Sequence, residues 1–208
     1  MKSLRSLLII VVLAVASSMA INWAYGIISR VAMSRPVTRS SGVAAIGGPF
    51  ALIATNGQVV TDQTYRGKWI LIFFGYTFCP DVCPTTLNNI TVALDKLGSD
   101  AAKLQPLFIT IDPKRDTRDA LTEYLESFDP RILGLTGTTA QIERVAKEYR
   151  VYVAQQKSGP NDMDYLISHS GYIYLMNPAG KFVNVIQGGE DGERIAAWLR
   201  NEMSHAML

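Results

Sequence analysis

The chain has 208 residues, enough for one domain with a sizeable core plus an appendage. Its net charge of +2 is weak and forms no basic stripe, which argues against a nucleic-acid binder working by phosphate neutralisation. It contains no internal repeat and no low-complexity tract.

Lys2 and Arg5 precede an apolar run from Ser6 to Ile28, broken mainly by small residues and Asn22. A helix of that length covers roughly 35 Å, enough to cross a hydrocarbon core of about 30 Å. The expectation is a retained membrane anchor at 1–28. A cleaved signal peptide is the competing reading, because Ser18-Met-Ala20 resembles a small-x-small processing site. The apolar run continues beyond that point through Trp23, Tyr25 and Ile28, which favours the anchor. Arg30, Arg35 and Arg39 balance Lys2 and Arg5, so the positive-inside rule does not fix the orientation. A short N-terminus left in the cytoplasm exports everything after residue 28, into a compartment where thiols can oxidise.

Residues 29–46, rich in Ser, Arg and small side chains, read as a tether. The folded domain is expected at 47–208, starting near Gly47-Gly-Pro-Phe50. A hairpin of 50–54 and 58–61 turns at Asn56-Gly57. Then follow strand 69–74, helix 84–97, strand 106–111, helix 117–128, strand 131–135, helix 139–149 and strand 151–155. Strands 171–176 and 181–186, joined through Asn177-Pro-Ala-Gly180, and helix 191–203 complete the chain. Helix 84–97 aligns Leu87, Ile90, Leu94 and Leu97 on one face before Gly98, and helix 117–128 stops before Pro130. Thr138 and Gln141 have the spacing of a capping box. Strand–helix alternation followed by an antiparallel hairpin predicts an α/β fold, a mixed sheet covered by helices.

The chain's two cysteines, Cys79 and Cys83, lie where strand 69–74 hands over to helix 84–97. Sites in α/β proteins commonly occupy such a sheet edge. Pro84 suits the first helical position, which makes Cys83 the expected N-cap, with a thiol acidified by the helix N-terminus. A structural disulfide is the plainer alternative. A loop this short would contribute only about 2 kcal/mol by restraining the unfolded chain, against roughly 5 for a loop of about 100 residues. Two inert core thiols conflict with the intervening Pro80-Asp81, which belong at a surface. Metal or redox chemistry is therefore the leading reading. Two thiolates suit Cu(I), a soft ion content with few ligands, whereas a structural zinc site wants four. His205 is expected to be solvated in the Met-Ser-His-Ala-Met-Leu tail. His169 precedes strand 171–176, and its spacing alone does not bring it to the cysteines.

The segment Phe74-Gly-Tyr-Thr-Phe-Cys-Pro-Asp-Val-Cys-Pro-Thr-Thr-Leu87 closely resembles the signature of the Sco/SenC family, copper-binding proteins of thioredoxin-like fold. Three further segments match in order. They are Gly47-Gly-Pro-Phe50 with Gly57, Val60-Thr-Asp62 and Gly67-Lys68; Ile111-Asp-Pro-Lys-Arg-Asp-Thr117; and His169-Ser-Gly-Tyr-Ile-Tyr-Leu-Met-Asn-Pro-Ala-Gly180. The resemblance covers nearly all of 47–203. It implies a thioredoxin-like domain carrying copper, as Cu(I) or Cu(II), on Cys79, Cys83 and His169. Asp112 and Asp116 become supporting residues beside the site. Their competing reading is a turn and helix-capping pair after strand 106–111.

The resemblance also implies a function and a place. The function is a metallochaperone assisting assembly of the CuA site of cytochrome c oxidase. Its partners would be the oxidase subunit carrying that site and another copper chaperone or a thioredoxin-like reductase. The place is the inner membrane of a bacterium, single pass, with the domain facing the periplasm. A thiol–disulfide reductase that keeps the recipient's cysteines reduced uses the same Cys79 and Cys83 as a redox pair. A peroxidase is disfavoured by the C-x3-C arrangement.

Overall fold

The computed structural model describes residues 46–205. The expected anchor at 1–28 and all of the expected tether except Ile46 lie outside the described residues. Among the described residues no helix is long and apolar enough to cross a membrane.

The run Trp69-Ile-Leu-Ile-Phe-Phe-Gly75 forms a strand, β3, in which every residue is buried. A strand buried on both faces belongs at the centre of a covered sheet. It pairs in parallel with β4 (Leu104–Thr110) and antiparallel with β8 (Tyr172–Met176). The other members of this sheet are β1 (Ala51–Ala54), β2 (Val59–Thr61), β5 (Leu133–Thr136) and β9 (Phe182–Gln187). Their order is β2-β1-β5-β4-β3-β8-β9, a seven-stranded mixed sheet. Helix α1 (Val82–Leu97) links β3 to β4 through a 3-10 turn at Gly98–Lys103, and α2 (Arg118–Leu125) links β4 to β5. Helix α3 (Thr139–Glu148) follows β5, and α4 (Gly192–His205) ends the described chain. Leu87, Leu94, Ile195 and Leu199 are fully buried, and α1 packs against α4.

The expected capping box is present: Thr138 Oγ1 accepts from the Gln141 amide, and Gln141 Oε1 accepts from the Thr138 amide. Helix α2 starts one residue later than expected. Thr117 is its cap, with Oγ1 accepting from the Ala120 amide, so Asp112 and Asp116 do not cap it. Helix α4 runs on to His205, whose side chain lies outside the described residues.

Two differences from the sequence reading bear on the site. Helix α1 begins at Val82 with Asp81 as N-cap, so Cys83 lies inside the first turn and is not the cap. Pro84 is tolerated there because first-turn amides have no intrahelical acceptor to lose. The second difference is an unexpected strand, β7 (Tyr165–His169). It pairs antiparallel with β6 (Val153–Lys157) as a separate two-stranded sheet, and it delivers His169 at its end opposite Val153.

Candidate metal centre

The β3–α1 connection places the first two donors. The Cys79 amide bonds to the Tyr76 carbonyl at 3.2 Å, turning the chain back over the end of β3. Asp81 makes no side-chain cap to α1. Instead, the Cys79 Sγ accepts from the Cys83 amide at 3.4 Å, so a sulfur occupies the capping place. Cys83 follows on the buried side of the helix, fully enclosed, while Cys79 is part-exposed. Both are free thiols.

The third donor arrives from β7. His169 Nε2 lies 3.5 Å from Cys83 Sγ. The ligand atoms of Cys79, Cys83 and His169 all lie within 4.8 Å of one another. The other ring nitrogen, Nδ1, lies 3.1 Å from the Ser170 carbonyl, which can only accept. Nδ1 therefore carries a proton, and Nε2 faces the sulfurs, the orientation a metal-ligating imidazole needs. Tyr76 packs its ring edge-on to His169 at 6.0 Å between centroids. An open cleft of about 360 Å³, walled by Tyr76, Val82, Leu166 and Ile167, leads to Cys79 and His169.

The two thiols are driven in opposite directions. The Cys83 thiol, donating to it, is the main reason the Cys79 thiol is held far below its ordinary value, at about 4; His169 and the amides of Cys83 and Asp81 add to this, and burial opposes it. Cys83 is pushed up by the same hydrogen bond and by its burial. One proton is thus shared by the pair and resides on Cys83. The acidified thiol is Cys79, not Cys83 as the capping argument expected. A soft cation that displaced this proton would meet two sulfurs and an imidazole, a set that suits Cu(I) and is one ligand short of a structural zinc site.

Asp112 and Asp116 do not join the donor group. Asp116 is fully buried and accepts from the Thr77 amide (3.1 Å), the Thr77 hydroxyl (2.6 Å) and the Thr110 hydroxyl (2.6 Å). It ties the residue two before Cys79 to the end of β4. Burial pushes its carboxyl up, and these hydrogen bonds pull the other way. Asp112 accepts from the Tyr165 hydroxyl (2.7 Å) and from Arg115 Nε (2.5 Å).

Sequence reasoning passed over Gly75, Tyr76, Arg115 and Tyr165. Gly75 ends β3 beneath the cysteines: a Cβ there would lie 2.7 Å from Phe108 Cε2 and 2.8 Å from Cys83 Sγ. In β7 buried Tyr165 and Ile167 alternate with exposed Leu166 and Ser168, but Leu166 is apolar, so the sequence carries no period-2 polarity pattern there. No sequence signal paired Arg115 with Tyr165.

The SCO1/SenC family model matches residues 38–204. Protein SCO2, mitochondrial, of Saccharomyces cerevisiae is 43% identical over 149 residues, covering 71% of this chain and 50% of that protein. The mitochondrial SCO1 homologue of Homo sapiens is 40% identical over 169 residues, covering 79% of this chain and 55% of that protein. The chain thus spans about half the length of these curated relatives. Among solved structures, Bradyrhizobium japonicum ScoI with copper bound superposes with a TM-score of 0.70 at 46% identity, covering 76% of this chain and 99% of that one. Yeast Sco1 with copper bound gives 0.71 at 39% identity, covering 77% and 89%. The mixed sheet and its flanking helices are the thioredoxin-like fold of these proteins. With the match running from residue 38 to residue 204 and the fold shared at this level of identity, the chain belongs to the SCO1/SenC family.

Proposed function

We propose that this chain is a copper metallochaperone, binding one copper through Cys79, Cys83 and His169 and supplying the CuA site of cytochrome c oxidase. The observation that carries the reading is the approach of His169 Nε2, on the separate β6–β7 sheet, to Cys83 Sγ in the first turn of α1, at 3.5 Å, with Nδ1 held by the Ser170 carbonyl. Dithiol exchange needs no imidazole in that place; a copper site gains its third ligand from it. The copper-bound relatives, 46% and 39% identical, support the same cargo. Asp116 and Asp112 act as supports, the first holding the cysteine loop and the second holding β7.

Copper is the cargo, and the chain's own groups set how it moves. Cys79 is thiolate at neutral pH and part-exposed, so it is the sulfur a recipient's thiolate would meet first. Cys83 and His169 lie deeper, and each can release as the recipient supplies a replacement ligand. An open cleft suits such stepwise exchange.

The second reading, a thiol–disulfide reductase, is favoured by the acidified Cys79 beside a protonated Cys83. In it the Cys79 thiolate attacks the recipient's disulfide, and Cys83 then closes a Cys79–Cys83 disulfide as the recipient takes two electrons, one proton from Cys83 and one from water. A CuA-bearing oxidase fragment separates the two. The copper-loaded full chain is expected to metallate a reduced fragment while Cys79 and Cys83 stay reduced. Failure to metallate it, with efficient reduction of an oxidised fragment by the copper-free dithiol, would reverse the ranking.

The proposal includes anchoring by residues 1–28 in a bacterial inner membrane with the domain in the periplasm. Retention of the full chain in carbonate-washed membranes is expected, and a soluble form beginning near residue 21 would support cleavage instead.

A further inference from the structure

The hairpin β6–β7 is hydrogen-bonded as a sheet of its own, and the main sheet's ladder resumes at Tyr172, three residues after His169. Side chains tie the rest of the hairpin to the cysteine loop. Arg115, in the loop after β4, is 6% exposed, and its Nη1 donates to the carbonyls of Tyr165 (2.9 Å) and Met163 (3.2 Å) at the start of β7. Its Nε donates to Asp112, whose other oxygen accepts from the Tyr165 hydroxyl. The guanidinium carbon lies 3.7 Å from the ring centroid of Tyr165 and 4.6 Å from that of Phe78, the residue before Cys79. One side chain therefore touches the hairpin that bears the imidazole and the loop that bears the first sulfur. The Ile167 amide, bonded to the Tyr76 hydroxyl at 3.1 Å, adds a second tie on the same strand.

We propose that Arg115, with Asp112 and Tyr165, is a positioning clamp for His169, and that it sets the preference of the site between Cu(II) and Cu(I). This rests on the copper reading above. Cys79 in the β3–α1 connection and Cys83 in the first turn of α1 are joined by the Cys83 amide on Cys79 Sγ and lie outside the hairpin, so Cu(I) can stay on two sulfurs. Cu(II) requires the nitrogen, and its binding depends on how often the imidazole is presented. A planar fork that bonds two carbonyls and a carboxylate while stacking on two rings is specific to arginine; lysine keeps the charge and loses the geometry.

The test uses the full chain with Arg115→Lys and with Tyr165→Phe, which keeps the ring and removes the hydroxyl. Cu(I) and Cu(II) affinities are measured by chelator competition, and amide hydrogen exchange of β7 is followed in the copper-free protein. Arg115→Lys is expected to weaken Cu(II) about tenfold (about 1.4 kcal/mol) while Cu(I) changes by less than about threefold. The Ile167 and His169 amides should exchange faster. Combined with His169→Ala, it should add no further loss of Cu(II) affinity, because a clamp acting through the imidazole has nothing left to position. Additive losses in the double variant, or equal losses for both oxidation states, would overturn the proposal. If Arg115→Lys does not fold, Tyr165→Phe carries the same expectations with a smaller effect. Equal Cu(II) affinity in wild type and His169→Ala would defeat the copper reading itself, and faster β7 exchange in the clamp variants would then still show the clamp without a metal role.

Discussion

Replacing either cysteine by serine is expected to abolish tight Cu(I) binding, with affinity falling at least about a thousandfold, or about 4 kcal/mol. Each substitution exchanges a soft, polarisable sulfur for a hard oxygen that stays protonated at neutral pH, and the remaining sulfur and imidazole make a poor Cu(I) set. The two variants should differ in stability. Cys79 is part-exposed, so Cys79→Ser should fold much as the parent does. Cys83 is fully enclosed among Phe74, Leu87 and other core residues, and a hydroxyl there is desolvated. Copper analysis after dialysis and Cu(I)-chelator competition, beside a thermal melt, separates loss of ligand from loss of fold. Unchanged stoichiometry and affinity in either variant would remove that sulfur from the site.

Gly75→Ala should damage the site without touching a donor. The added Cβ would meet Phe108 Cε2 at 2.7 Å and Cys83 Sγ at 2.8 Å, and Phe108 is fully buried with no room to retreat. Overpacking of this kind costs about 1–3 kcal/mol. At roughly 2–4 °C of melting temperature per kcal/mol for a domain of this size, the shift is readily measured. Relief by displacing the sulfur would move Cys83 relative to His169, so Cu(I) affinity should fall along with stability. A variant that melts and binds copper as wild type does would show that the end of β3 has slack that the structure does not show.

How much of this was legible in the sequence follows from what each element depends on. Strand β3 and helix α1 were readable because an apolar run and a helical stripe are local patterns, and the capping box at Thr138 was found residue for residue. The start of α1 was misplaced by two residues because proline was assigned to the first helical position, whereas the whole first turn tolerates it; the acidified thiol was misassigned with it. Strand β7 was missed because Tyr165-Leu-Ile-Ser-His169 alternates in burial but not in polarity, Leu166 being apolar yet exposed, and because its partner β6 lies outside the main sheet. The approach of His169 to the cysteines, 86 residues from Cys83, came from the family resemblance and not from spacing. The Asp112–Arg115–Tyr165 cluster joins positions 50 residues apart through side chains, a contact that no periodicity announces.

The central claim is that His169 completes a copper site, and the ratio of Cu(II) to Cu(I) affinity in His169→Ala tests it most directly. Loss of the imidazole should weaken Cu(II) by at least about a hundredfold, or about 2.7 kcal/mol, and alter the Cu(II)–thiolate absorption, while Cu(I) stays on Cys79 and Cys83 with a much smaller loss. A His169→Ala chain that keeps the wild-type Cu(II) affinity and absorption would make His169 a structural residue and contradict the account.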